Sequence, residues 1–482
     1  MKFTKKLTTD LTKKLTTDLM DIGLIRRLLK LHILQFLLIL PGFLIFIVAA
    51  ISIVFGVQHA GFNWGMVFTW VVWWGLVIIL FVIVGRGWCA MCPFGAIGEW
   101  IQRSSLWWKS KLGIGLNLKY PRRLRNLWLA IAFFIVFIFL DSGYGISNSP
   151  SLTVMLIVVM ILGAIWVGLL FERRTFCLYL CPLTLFIGIS SMFAPFEIRR
   201  KEAEVCRQCK SKACFRGSEH FYGCPMNLYM GGGLDKNRDC ILCTECLKSC
   251  PNDNIAIRFR GWGHDLWARV KGRLDESVGA VTIAGLVTMV SLFLVLFLPQ
   301  VKSFLSTILP AGEPPNDWPR IVSIGSLYLG GVAAALLLMY GFSYLSRLFS
   351  GAKNVSTKDF FVHFGYAALP LGIMKFISDV LDHVFRTWGA IPDVTIALAK
   401  DFPLNRAYAQ EVTVKQLMTA NQTYVVQLVL VGIGFGISLY VAYKLAGRKF
   451  PDKQIAIRAF LPIGTFIFVM GMAALWALSA AL

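Results

Sequence analysis

Charge is scarce in this sequence. Only 15% of its 482 residues are charged and 57% are hydrophobic. That leaves too little polar surface to cover a water-soluble fold of this size, so lipid must replace water over much of it. The first 30 residues also lack the pattern expected of a secretory leader. The apolar run after the first 30 residues starts late, is long, and has no small-residue cleavage site behind it. Cysteines scattered as pairs, the pattern of an oxidised secreted framework, are absent as well. The twelve cysteines fall instead in four tight clusters with metal-ligand spacing, which implies thiolates kept reduced in the cytoplasm. The formal charge of +22 invites a nucleic-acid partner. The basic residues, however, sit in short loops between apolar runs, as membrane topology demands, so no nucleic-acid role is expected.

Stretches long enough to span a bilayer, about 20 residues each, occur near 33–55, 64–85, 126–146, 151–171, 280–300, 320–342, 360–384, 423–445 and 458–481. The expected architecture is an α-helical polytopic membrane protein of about nine spans, with an inserted α+β ferredoxin-like domain. The great majority of the 48 Lys and Arg lie on one side of these spans. The other side holds Lys302, Arg320, Arg386, Lys400, Arg406 and Lys415. That bias predicts a cytoplasmic N-terminus, an outside C-terminus and residence in the inner membrane. Residues 1–30 form a basic segment containing a tandem repeat, Thr4 to Leu11 and Thr12 to Leu19. Its leucines at every fourth position suit an amphipathic helix lying on anionic lipid, or a solvated tail. The remaining divisions are a four-span duplicated unit (31–200), a ferredoxin-like domain (201–260) and a C-terminal membrane domain of about five spans (280–482).

The duplication shows in the cysteines. Two spans precede Trp88-Cys89-Ala-Met-Cys92-Pro93, and two more precede Phe176-Cys177-Leu-Tyr-Leu-Cys181-Pro182. Basic residues stand before each pair, at Arg86 and at Arg173 and Arg174. A parallel repeat suggests a pseudo-two-fold axis along the membrane normal, which would bring both pairs to one depth. The most specific signal follows. Cys206-x2-Cys209-x4-Cys214, then Cys224-Pro225, precede Cys240-x2-Cys243-x2-Cys246-x3-Cys250-Pro251. The last run has the bacterial ferredoxin spacing, in which the fourth cysteine of each run serves the other cluster. Cys206, Cys209, Cys214 and Cys250 are therefore expected to hold one [4Fe–4S] cluster, and Cys240, Cys243, Cys246 and Cys224 a second. A pair of four-thiolate zinc sites is the competing reading.

Paired cysteine-proline motifs at span ends, followed by a two-cluster ferredoxin segment, resemble the NapH-, NosR- and CcoG-type membrane polyferredoxins over roughly residues 30–260. The resemblance implies electron transfer between the quinone pool or cytoplasmic donors and other redox enzymes. The sequence departs from that pattern in a first pair one residue short, in the absence of a long flavin-type domain before the spans, and in a C-terminus of further spans.

Cys89, Cys92, Cys177 and Cys181 could bind a third [4Fe–4S] cluster, zinc or copper, or could exchange thiol and disulfide. Of only six histidines, His32, His59, His363 and His383 fall near span edges, where two b haems would need them; interfacial hydrogen bonding is the plainer use. In the seventh span Lys375, Asp379, Asp382 and His383 recur at helical spacing. A quinone pocket, a proton path or a simple ion-paired face would account for them. The expected function is electron transfer between a quinone or membrane partner and cytoplasmic clusters, as a subunit of a larger redox system rather than as a stand-alone enzyme. A metal-ion reductase and a maturation or regulatory factor for a partner metalloenzyme are the alternatives.

Overall fold

The computed structural model describes residues 18–105, 113–268, 271–312, 317–402 and 415–480. Most of the tandem repeat at 4–19, and with it the expected surface helix, lies outside the described residues. Seven described helices are long and apolar enough to cross a membrane: Leu34–Phe55, Trp64–Val84, Pro150–Leu170, Trp318–Phe349, Thr357–Thr387, Ala420–Lys449 and Lys453–Ser479. The expected span at 280–300 is a pair of helices, Leu274–Val287 and Met289–Leu305, bent by 43°. Counting the pair as one span gives eight. The expected span at 126–146 is an apolar helix of 17 residues, Trp128–Tyr144, short of the usual spanning length.

Contacts divide the chain into two compact units. The first holds residues 18–46, 80–126 and 158–270, and the second 47–79, 127–157 and 271–482. The cut passes through three spans, so membrane helices contribute residues to both.

In the first unit two short helices, Gly87–Met91 and Pro93–Arg103, carry the first cysteine pair, and Leu183–Ser190 follows the second. A two-stranded antiparallel sheet, β1 (Phe196–Arg200) and β2 (Ile255–Phe259), pairs Ile198 with Ile257. These strands bracket the eight ferredoxin cysteines. Their buried isoleucines close the base of the core that contains Cys214, Cys240 and Cys246.

In the second unit the span Thr357–Thr387 is the most enclosed of the seven. A tight turn at Gly365–Ala368 interrupts it before Pro370. The Leu371 amide donates to Ser438 Oγ at 3.0 Å, which satisfies a backbone group that lipid could not. Gly372 meets the Ala284 backbone, where an added Cβ would sit 2.9 Å away, so glycine permits the close helix approach. The bend in the helix pair falls at Thr288, whose hydroxyl donates to Ala284 O at 2.6 Å. Such back-bonding by threonine commonly bends helices.

Candidate functional site

The two membrane-edge pairs differ in length, and the backbone absorbs the difference. Cys89 lies within the α-helical turn Gly87–Met91, whereas Cys177 lies in a π-helical turn, Phe176–Leu180. A π-turn accommodates one extra residue, which turns Cys-x3-Cys into the structural equivalent of Cys-x2-Cys. Cys92 then has φ −69°, ψ 125° and Cys181 φ −59°, ψ 126°. Both leave their turn in the same conformation, as residues before proline tend to.

Two buried arginines lock the halves together reciprocally. Arg86, three residues before Cys89, donates to the carbonyl of Cys177. Arg174, three residues before Cys177, donates to the carbonyl of Cys89 at 2.6 Å. Arg174 also pairs with Glu99, itself bound by Arg103. Burial alone would raise the Glu99 carboxyl, but Arg103 and Arg174 more than reverse it and hold the group below the usual range. Gly95 makes room at the centre, since a Cβ there would lie 3.2 Å from Cys177 Sγ and 3.3 Å from Arg174 Nη1. Burial and the neighbouring thiols push Cys92 up to about 11, and burial pushes Cys177 up to about 12 and Cys181 higher still. Thiols so placed become thiolates only if a cation takes the protons' place.

The ferredoxin cysteines gather in two sets of four. Cys206, Cys209, Cys214 and Cys250 line one cavity. Cys224, Cys240, Cys243 and Cys246 line another. In the first set Asn254 donates to Cys206 Sγ at 3.2 Å and to Cys250 Sγ at 3.4 Å, and Ser211 lies 3.5 Å from Cys209 Sγ. The Ser211 hydroxyl and the Lys212 amide draw the Cys209 thiol below its usual range. In the second set the Leu228 amide donates to Cys224 Sγ at 3.4 Å. Leu242 (φ 51°) and Thr244 (φ 65°) adopt left-handed conformations on either side of Cys243. Alternation of this kind turns successive amides toward one point and forms an anion-binding concavity. Such a donor set suits [4Fe–4S] clusters bearing four thiolates each. Among the described residues, no three His, Cys, Asp or Glu side chains come close enough to share a single ion.

The three sets are joined in succession by shared apolar cores. Cys89, Ala90 and Leu178 share one apolar core with Cys224, Met226, Ile241 and Cys243. Cys240 and Cys246 share the next with Cys214 and Cys250. Polar ties follow the same line: Arg173 Nη1 donates to Cys224 O at 2.6 Å, and Arg86 Nη1 to Arg238 O at 3.2 Å, two residues before Cys240.

The other candidate residues lie elsewhere. His32 Nε2 is 3.1 Å from His220 O, and His363 Nε2 is 2.9 Å from Leu445 O. His59 stacks on Phe62, and His383 O accepts from Thr387. Lys375 pairs with Asp379 at 2.5 Å, and Asp382 with Arg386 at 2.9 Å. Tyr366 donates to the buried Glu276 at 2.6 Å. Glu99, Asn254 and the arginine exchange were not foreseen from the residues. The repeated Arg-x2-Cys offset in both halves was the available signal.

Residues 66–115 and 153–201 each match the family described as 4Fe-4S binding domain. The two matches coincide with the two halves of the duplication, one cysteine pair in each. The chain is 27% identical over 205 residues to the putative electron transport protein YccM of Escherichia coli, covering 36% of this chain and 53% of that one. It is 28% identical over 197 residues to the methylamine utilization ferredoxin-type protein MauN of Methylorubrum extorquens, covering 39% and 66%. It is 25% identical over 197 residues to the uncharacterized protein MJ0750 of Methanocaldococcus jannaschii, covering 38% and 76%. The two relatives whose names state a role are thus matched over about half and about two thirds of their length. No solved structure gives a significant match. The chain thus carries a duplicated 4Fe-4S binding domain in a polytopic helical framework and is similar to proteins named for electron transport, as the resemblance to membrane polyferredoxins implied.

Proposed function

We propose that the protein passes single electrons along three iron–sulfur sites. Cys206, Cys209, Cys214 and Cys250 would hold the one nearest water, and Cys224, Cys240, Cys243 and Cys246 the middle one. Cys89, Cys92, Cys177 and Cys181 would hold a third at the membrane edge. A quinone or a membrane protein would exchange electrons there, with the chain acting as a subunit of a larger redox system. The Lys and Arg bias supports a cytoplasmic face for residues 201–260.

When bound, such a cluster supplies a reversible one-electron couple and makes or breaks no substrate bond. The chain's own residues do the rest. Twelve cysteines anchor, Asn254 and the Leu228 amide hydrogen-bond the sulfurs, and Arg86 and Arg174 offset negative charge where water is excluded. The observation that carries the reading is the shared core of Cys89, Cys224 and Cys243, which packs the membrane-edge quartet against the middle site.

Anaerobic iron and acid-labile sulfide per purified chain test it. About twelve of each are expected, falling to about eight in Cys177→Ala. About eight in the parent, unchanged by Cys177→Ala, would remove the third site and break the line into the membrane.

A further inference from the structure

The first ferredoxin run departs from the usual spacing by carrying four residues between Cys209 and Cys214. The interval is Lys210-Ser211-Lys212-Ala213, two residues longer than usual. Lys210, Ser211 and Lys212 are all exposed, while Cys209 between them and the cavity is half-buried. Lys212 takes a left-handed conformation, φ 48°, which brings it to the rim of the cavity lined by Cys206, Cys209, Cys214 and Cys250. Its ammonium lies 5.6 Å from the ring centroid of Tyr229, another rim residue.

Most anions around this rim are matched by cations, the exposed Glu202 beside Asn254 being the exception. Glu204 pairs with Arg207 at 3.2 Å, Asp18 with Lys201 at 3.2 Å, and Asp253 with both Arg26 and Lys30. Lys210 and Lys212 therefore add to a balance that is already neutral or positive. The middle quartet is more enclosed: Cys224, Cys240 and Cys246 are each at most 5% exposed, and only Cys243 is half-buried. In the outer quartet Cys209 and Cys250 are half-buried, and Cys209 is the one that adjoins the exposed lysines.

We infer that the Lys210–Lys212 rim is the docking surface for an acidic, water-soluble one-electron carrier protein. A positive rim around a half-buried ligand raises the encounter rate with an anionic partner and orients it, an effect that salt screens. In the exchange one electron leaves the reduced carrier and enters the site held by Cys206, Cys209, Cys214 and Cys250; no bond forms or breaks. The inference rests on the electron-transfer reading above.

Stopped-flow reduction of the full-length protein in detergent tests it, with a strongly acidic [2Fe–2S] ferredoxin as probe and methyl viologen radical cation as a small cationic donor. In Lys210→Glu/Lys212→Glu, with iron content equal to the parent, the second-order rate with ferredoxin should fall about tenfold or more at low salt. The gap should close at high salt, and the viologen rate should hold or rise. The double glutamine variant should lie between. Equal ferredoxin rates for parent and charge-reversed protein at low salt would overturn the docking surface. A parent that viologen reduces but ferredoxin does not would overturn it as well. A parent that neither donor reduces would overturn the electron-transfer reading, and the docking surface with it.

Discussion

Arg174 donates from Nη1 to the carbonyl oxygen of Cys89 at 2.6 Å, and Arg86 makes the same contact to Cys177 from the other half of the duplication. Each half thus holds the first cysteine of its counterpart. A quartet assembled from two separate helix ends needs such a brace, because four mutually repelling thiolates in a water-poor site would otherwise drive the halves apart.

Removing one brace should be severe. Arg174→Gln leaves Glu99 buried with Arg103 as its remaining cation and frees the Cys89 carbonyl. Breaking a buried ion pair costs about 3–5 kcal/mol, so the melting temperature in detergent should drop markedly and iron should be lost. The double variant Arg174→Gln/Glu99→Gln should recover part of the stability and less of the iron. A melting temperature for Arg174→Gln equal to that of the parent would count against the brace.

The π-turn makes a deletion testable. Removing Leu180 converts Cys177-x3-Cys181 to the spacing of the first pair, and an α-turn should then present both cysteines as Gly87–Met91 does. Iron per chain should stay at the parental value. Deleting Met91, where no π-turn takes up the change, should lose the iron of the membrane-edge quartet.

Crossed ligation predicts which iron each trailing cysteine holds. Cys224→Ala should remove about four iron atoms and spare the site of Cys206, Cys209 and Cys214. Cys250→Ala should do the reverse. Electron paramagnetic resonance of the reduced variants separates these outcomes, and the same residual spectrum from both would contradict the assignment.

The pair Lys375–Asp379 sits within a span, with Lys375 only 2% exposed. Asp379→Asn leaves that ammonium without its carboxylate and should lower stability by about 3–5 kcal/mol, whereas Lys375→Met/Asp379→Leu should restore most of it. Quinone-dependent turnover then separates structure from function. A stable double variant that has lost turnover would assign the pair to quinone or proton handling, and one that retains turnover would assign it to folding.

Much of this was legible in the residues. Low charge and long apolar runs dictated a membrane protein, because no other solvent tolerates so much apolar surface. The spacing of cysteines 206–250 dictated two sets of four, since thiolates a few residues apart can wrap one cluster but cannot close it alone. The repeat of Arg, Cys and Pro announced a duplication. Local sequence could not say how a short pair and a long pair become equivalent, which depends on a π-turn selected by packing around Phe176 and Leu178. Nor could it say that Thr288 bends one expected span, or that Tyr366 binds Glu276. The pairing of the two halves depends on contacts between residues far apart in sequence: Arg86 with Cys177, Arg174 with Cys89, and Cys89 in one core with Cys224 and Cys243.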